Sequence, residues 1–352
     1  MACSLVSPWG QPREYASYYV PEISDRLREF VGAEKYDVLL WIGYYHWHAM
    51  EAIRPCAKRV VYDSMDSPSL HYERDPRHTG LAKLIKPFDL WKCRRWERSL
   101  KKRADTTVYV SPVDASAAGA DALVIPNGVY PPAEALRESL AQHDQPCIGF
   151  LGNMGYHPNV LGALNLHNNI FKPLKKRYRN LRLKIIGRNP APEILALRAR
   201  DVEVTGTVPD IWEHIHSVDA FVFPMDNGAG LQNKILEAMW AGKPVVTTSI
   251  CAGSVGAKIG QEIICQDTDE GLREWVTCLL SIPPMAAEVG KCGREFVRRT
   301  FDLDRTLSLY ERVLFGDPSV SSQGALSGVP LGPELEAGGV AEALGASISK
   351  AV

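Results

Sequence analysis

The run Phe223–Val246, FPMDNGAGLQNKILEAMWAGKPVV, concentrates residues able to hold a phosphorylated ligand. Its pattern predicts a strand ending at Pro224 and a loop flanked by Gly228 and Gly230. A helix from about Leu231 to Trp240 follows, stopped by Gly242, and Pro244 opens the next strand. Residues three and four apart share a helix face, so Gly230, Asn233, Lys234 and Glu237 line up on one side. Leu231, Ile235, Ala238 and Met239 turn toward the core. A helix start presents unpaired N–H groups and a positive dipole end, which favour phosphate. Lys234 adds a cation one turn in, and Glu237 offers a carboxylate able to accept two ribose hydroxyls. A solvated polar face with a chance Lys and Glu would carry the same residues.

A second group follows the first credible strand, in WIGYYHWHAM (Trp41–Met50). Ligands in open α/β sheets gather at the carboxyl ends of strands, which places His46 and His48 to face a cleft between domains as catalytic candidates. Packing and helix capping are the plain alternatives. Asp63 and Asp66, after the next strand, can bind acceptor hydroxyls, or Asp66 or Ser67 can cap a helix. The eight cysteines are scattered without a C-x-x-C pair and read as reduced, buried thiols, giving no zinc pattern. Between Leu81 and Arg103 nine basic residues face only Asp89 and Glu97, with Phe88, Trp91 and Trp96 interleaved. Such a helix suits an anionic bilayer surface through Lys92, Arg94, Arg95, Trp91 and Trp96, and equally suits a solvated helix over a sheet.

The elements that must position these residues follow from the apolar pattern. Short β-branched and aromatic runs alternate with helical patterns: Asp37–Trp41, Arg59–Asp63, Thr106–Val110, Leu123–Ile125, Cys147–Leu151, Leu183–Ile186, Val202–Val204, Ala220–Phe223 and Val245–Thr248. That alternation predicts α/β architecture with parallel sheets covered on both faces. Three helices, Glu270–Leu280, Met285–Arg299 and Leu303–Phe315, close the fold. The expected divisions are an N-terminal domain over 1–131, a linker over 132–145, a C-terminal domain over 146–299, a closing helix over 300–315, and a Gly/Ser/Ala-rich tail over 316–352 too poor in large apolar residues to order itself. With 40 Lys plus Arg against 41 Asp plus Glu in 352 residues, the chain lacks the basic excess of a dedicated nucleic-acid binder. No apolar run approaches the roughly 18 residues of a membrane span, and MACSLVSPWGQPREY lacks the pattern of a secretory signal, so a cytoplasmic protein is expected.

IPNGV (Ile125–Val129), FLGNM (Phe150–Met154), KIIGRNPAP (Lys184–Pro192), VEVTGTVPDI (Val202–Ile211) and GLQNKILEAM (Gly230–Met239) occur in that order. Together they resemble glycosyltransferases of family 4, the group 1 type, and within it sugar transferases found with bacterial exopolysaccharide gene clusters. The resemblance implies a GT-B fold of two Rossmann-like doubly wound domains. It also implies transfer of a hexose-type sugar, with retention, from a nucleotide sugar such as a UDP- or GDP-sugar to a lipid-linked or polysaccharide acceptor. Neither cofactor nor metal is implied, and the location is the cytoplasm, peripheral on the inner face of the membrane. Carried over residue by residue, nucleotide recognition falls at Gly187, Arg188 and the loop Thr205–Val208. The diphosphate falls at Gly230, Leu231, Gln232 and Lys234, with Lys234 as the catalytic cation, and the ribose at Glu237. Family members usually carry a Glu where this chain has Ala229, and often Arg and Lys where GNMGYHPN supplies Asn153 and Asn159; these departures leave Lys234 as the best remaining diphosphate cation, with Asn153 among the nucleotide-sugar-binding candidates. Related transferases also use a His from the region of His46 and His48.

A complete GT-B N-terminal domain opens with a strand and a Gly-rich loop, for which residues 1–36 offer only the amphipathic pattern Tyr18–Phe30. Four strands are expected before the boundary, so the N-terminal domain reads as incomplete, and little turnover is expected without further strands. The rival readings are a non-catalytic nucleotide-sugar-binding protein and a nucleotide-sugar 2-epimerase.

Overall fold

The computed structural model describes residues 20–75, 81–119, 122–129, 145–226 and 230–316, with the side chains of Leu81 and Ala82 excepted. Most of the expected linker, Ala229 and all of the tail beyond Gly316 lie outside these residues. The described chain forms two parallel sheets: β1 (Tyr36–Ile42), β2 (Ala57–Met65), β3 (Thr106–Tyr109) and β4 (Leu123–Val124) in the order 1-2-3-4, and β5 (Cys147–Leu151), β6 (Arg182–Ile186), β7 (Val202–Val204), β8 (Ala220–Phe223), β9 (Val245–Thr247) and β10 (Ile264–Cys265) in the order 10-9-8-5-6-7. Every expected strand is present to within two residues at each end; β10, only two residues long, is the one its periodicity could not announce.

Each sheet belongs to a separate compact unit. The first comprises Met1–Gly128, Asn227–Leu231 and Phe301–Val329, and the second Val129–Asp226, Gln232–Thr300 and Pro330–Val352. In the first, successive residues of a strand face opposite layers. Tyr62 packs with Trp47, Cys93, Trp96 and Leu100 under the long helix Leu81–Lys101, while its neighbour Val61 packs with Val108, Ile125 and Val313 under the closing helix Leu303–Leu314. Gly128 admits that helix: a Cβ there would come within 2.5 Å of the Leu303 Cα. Asp63 clamps the helix from the strand side, accepting the Tyr310 hydroxyl at 2.6 Å. The outer strand β1 is apolar yet leaves Ile42 58% exposed, unusual for a parallel sheet.

The sheet of the second unit is wound outward from β5 to β7 and back through β8 to β10, so the winding direction reverses between β5 and β8. Such a reversal opens a crevice at the strand carboxyl ends. Glycine allows the loops there to close on one another. A Cβ on Gly187 would run into the Gly152 carbonyl oxygen, and the Gly187 N–H is taken by Thr205 Oγ1 at 3.2 Å.

Candidate functional site

The helix expected from Leu231 begins two residues later, at Asn233, and ends at Trp240. Gly230 and Leu231 are therefore loop residues. Gly230 holds a positive φ of 71°, open to glycine at little cost, and Leu231 is buried. Ile235, Leu236, Ala238 and Met239 are fully buried, which leaves Lys234 and Glu237 half-buried on the remaining face.

Lys234 is the centre of a polar chain. Its Nζ donates to Asn159 Oδ1 at 2.9 Å and to Gln232 Oε1 at 2.8 Å. Asn159, itself buried, donates through Nδ2 to the Asn153 carbonyl at 3.0 Å, and Asn153 Oδ1 accepts the Gly155 N–H at 3.1 Å. The loop after β5 is thus tied to the helix after β8 across the switch point. Burial lowers the Lys234 ammonium to about 8, opposed by Glu237 and Cys251. Burial raises the Glu237 carboxyl to about 7, with Lys234 pulling the other way. Both groups therefore titrate near neutrality, where an anionic ligand can fix the charge of one and hydroxyls that of the other.

Arg188 is exposed at the end of β6, its carbonyl accepting the Met154 N–H at 2.9 Å, and Thr205 bridges Gly187 and Gly206. Asn159, a departure from the family pattern in sequence, joins this site through its contact with Lys234. Its signal is the position HPN, at the first turn of the helix His157–Asn165 that follows β5, where a short amide can reach back into the preceding loop.

The residues singled out in the first unit differ in exposure. His48 is buried, its Nε2 2.9 Å from the Val20 carbonyl, and it lines a cavity of about 330 Å³ with Pro21, Ser24, Asp25 and Arg28. That contact ties its ring to the residue that opens the helix Pro21–Val31. His46 is half-buried in the left-handed region (φ 51°), where its carbonyl accepts the Ala49 N–H at 2.8 Å. Ser67, not Asp66, caps the helix after β2. Asp66 is raised to about 6, by burial first and then by Asp114 and Asp63. Trp96 is only 3% exposed and belongs to the core, so it cannot face a membrane. Trp91 and Arg95 are exposed, Lys92 is half-buried, and Arg94 pairs with Glu73 at 3.0 Å. Among the described residues no group of three or more His, Cys, Asp or Glu is placed to hold a metal, and no helix is long and apolar enough to cross a membrane.

The two parallel sheets match glycosyltransferases of known structure, and the protein has the GT-B fold. A sucrose-phosphate synthase from Thermosynechococcus elongatus aligns at TM-score 0.66 and 16% identity over 86% of this chain and 80% of its own. A glycosyltransferase from Rickettsia africae aligns at 0.61 and 13% over 84% and 81%. HepE from Anabaena, solved with UDP and glucose, aligns at 0.59 and 16% over 84% and 80%. Residues 145–281 match the family model for glycosyl transferases group 1, a stretch that holds Asn153, Asn159, Arg188, Lys234 and Glu237. No curated protein sequence gives a significant match.

Proposed function

We propose that the protein is a glycosyltransferase that uses a UDP- or GDP-sugar as donor, Lys234 meeting the diphosphate and Glu237 the ribose hydroxyls. The observation that carries this reading is the Lys234–Asn159–Asn153 chain at the switch point, inside the segment that matches the group 1 model. A cation held by two amide oxygens is neutralised by no carboxylate in those bonds, and keeps its charge for an incoming phosphate. HepE, similar in fold, was solved with UDP. In the reaction the bond from the sugar C1 to the diphosphate oxygen breaks, and the acceptor oxygen bonds to C1 on the same face. The acceptor proton passes to a departing phosphate oxygen. Lys234 and the N–H groups at the helix start stabilise the charge that builds on the diphosphate. Arg188 stacks on the base or adds charge to the diphosphate. The acceptor in this reading is a lipid-linked or polysaccharide chain in exopolysaccharide or other cell-surface glycan synthesis, met by the cytoplasmic protein at the inner face of the membrane.

Calorimetry with UDP and GDP tests the site. Glu237→Ala is expected to weaken binding tenfold to a hundredfold, the loss of a charge-assisted hydrogen bond being worth on the order of 1.5–3 kcal/mol. Equal affinity in the variant would remove Glu237 from the site. Release of UDP or GDP from a panel of nucleotide sugars, with and without lipid-linked acceptors, separates a transferase from a protein that only binds the donor.

A further inference from the structure

The helix Leu81–Lys101 has two unlike sides. The inner side packs Cys93, Trp96 and Leu100 into the core, and both acidic residues of the helix are buried, Asp89 at 5% and Glu97 at 1% exposure. Glu97 accepts the hydroxyl of the buried Tyr109 at 3.0 Å. The outer side carries Leu84, Phe88 and Trp91, spaced four and three residues apart and therefore on one stripe, at 76%, 58% and 55% exposure. The Phe88 and Trp91 rings stack at 5.9 Å. Lys92 Nζ sits 4.5 Å above Phe88, and the Arg95 guanidinium 5.9 Å from Trp91. With both carboxylates turned inward, the outer charges of this helix are basic, Lys83, Arg95 and Arg98 among them.

Large exposed apolar residues packed this closely are uncommon on a surface that meets only water. A narrow stripe flanked by cations, on a helix whose own carboxylates are buried and whose nearest exposed acid, Glu73, is paired with Arg94, complements one surface in particular, the headgroup boundary of an anionic bilayer. We infer that the outer face of Leu81–Lys101 docks on anionic phospholipid, with Leu84, Phe88 and Trp91 entering the acyl boundary and Lys83 and Arg95 against the lipid phosphates. This extends the membrane clause of the proposed function and stands on the helix itself. Trp96, on the inner side, takes no part.

The test is flotation of the full chain with vesicles of phosphatidylcholine alone or mixed with phosphatidylglycerol, at low and high salt and without any sugar donor. Its failure therefore leaves the transferase reading untouched. Binding is expected only with the anionic lipid and should fade with salt. Each basic residue near such a surface contributes about fivefold in affinity, so the double variant Lys83→Glu/Arg95→Glu should bind at least tenfold more weakly. Phe88→Ser/Trp91→Ser should do the same while retaining the wild-type Tm and UDP affinity, since both side chains are exposed. Brominated acyl chains should quench tryptophan fluorescence in the wild type, and Trp91→Phe should abolish that quenching. Absence of binding to anionic vesicles at low salt overturns the inference, as does undiminished binding by either double variant. So does self-association that the Phe88/Trp91 variant abolishes, or binding of RNA in place of vesicles.

Discussion

Lys234 and Glu237 owe their chemistry to burial, and that gives the donor site a pH signature. With the free ammonium at about 8, a protein above that pH must take up a proton to meet a diphosphate, and affinity falls as pH rises. With Glu237 at about 7, the carboxylate is increasingly protonated below that pH and loses acceptor strength for hydroxyls. UDP affinity is expected to peak between about 7 and about 8. Glu237→Gln should abolish only the acid limb, and Lys234→Gln only the alkaline one; calorimetry across this range would contradict the assignment by showing both limbs in either variant. Asn159 acts through Lys234 as a positioning residue. Asn159→Ala should cost about 1 kcal/mol of UDP affinity. Asn159→Asp should move the alkaline limb to higher pH, because a carboxylate favours the charged ammonium, yet leave affinity below wild type, because it neutralises the cation and cannot donate to the Asn153 carbonyl. An effect of Asn159→Ala on Tm alone, with affinity unmoved, would make the residue purely structural.

At the scale of elements, two close approaches organise the second unit. Gly187 meets the Gly152 carbonyl at a φ of 146°, and Gly290, in the helix Pro283–Thr300, faces the Gly242 carbonyl. Gly187→Ala and Gly290→Ala each force backbone to move and are expected to cost about 2 kcal/mol or more of stability. Thermal melting checks both, and an unchanged Tm for Gly187→Ala would leave ligand contact as the reason for that glycine. In the first unit Asp66 runs opposite to the usual carboxylate. Raised to about 6, it holds its proton more tightly folded than unfolded, so its contribution to stability declines as pH climbs from about 4 to about 6. Asp66→Asn should therefore raise Tm at neutral pH and give little gain near pH 4. A gain that is the same at both pH values would place the cause outside its ionisation.

For the molecule as a whole, the closing helix decides whether one face of the first unit's sheet is covered. The chain leaves the second unit at Thr300 and returns to cover one face of the β1–β4 sheet with Leu309, Tyr310, Val313 and Leu314. A chain ending at Thr300 would bare Val61, Val108 and Ile125, a contiguous apolar face of the kind that drives self-association. Hydrogen exchange should then show β2 and β3 losing protection while β5 and β6 keep theirs. Tyr310→Phe is the mild form: it removes the hydroxyl donated to Oδ2 of the buried Asp63 carboxylate, whose Oδ1 accepts the Met65 N–H, and should cost about 1–2 kcal/mol. Protection of β2 and β3 in the shortened chain would show that the sheet does not need this cover.

Local pattern was enough for the elements. Strands such as Cys147–Leu151 and Ala220–Phe223 are short apolar runs bounded by Gly or Pro, and the helix of Lys234 and Glu237 is marked by its apolar spacing and by Gly242. The parallel α/β class and the shared helix face of Lys234 and Glu237 were legible for the same reason, because period and neighbour spacing are properties of the chain itself, whereas the doubly wound arrangement was implied by the resemblance of the ordered motifs. What sequence could not decide was which neighbour each side chain would find. Trp91 and Trp96 are five apart on one basic helix, and only the sheet beneath it turns Trp96 into core and leaves Trp91 outside. His48 looked open beside a strand end until the helix Pro21–Val31 placed a carbonyl against it. Asn159 gained its role only when β5 and β8 became neighbours and brought Lys234, 75 residues away, to its side chain. The perturbed titration of Lys234 and Glu237 belongs to the same class, since burial is set by the packing of distant segments and no local pattern carries it.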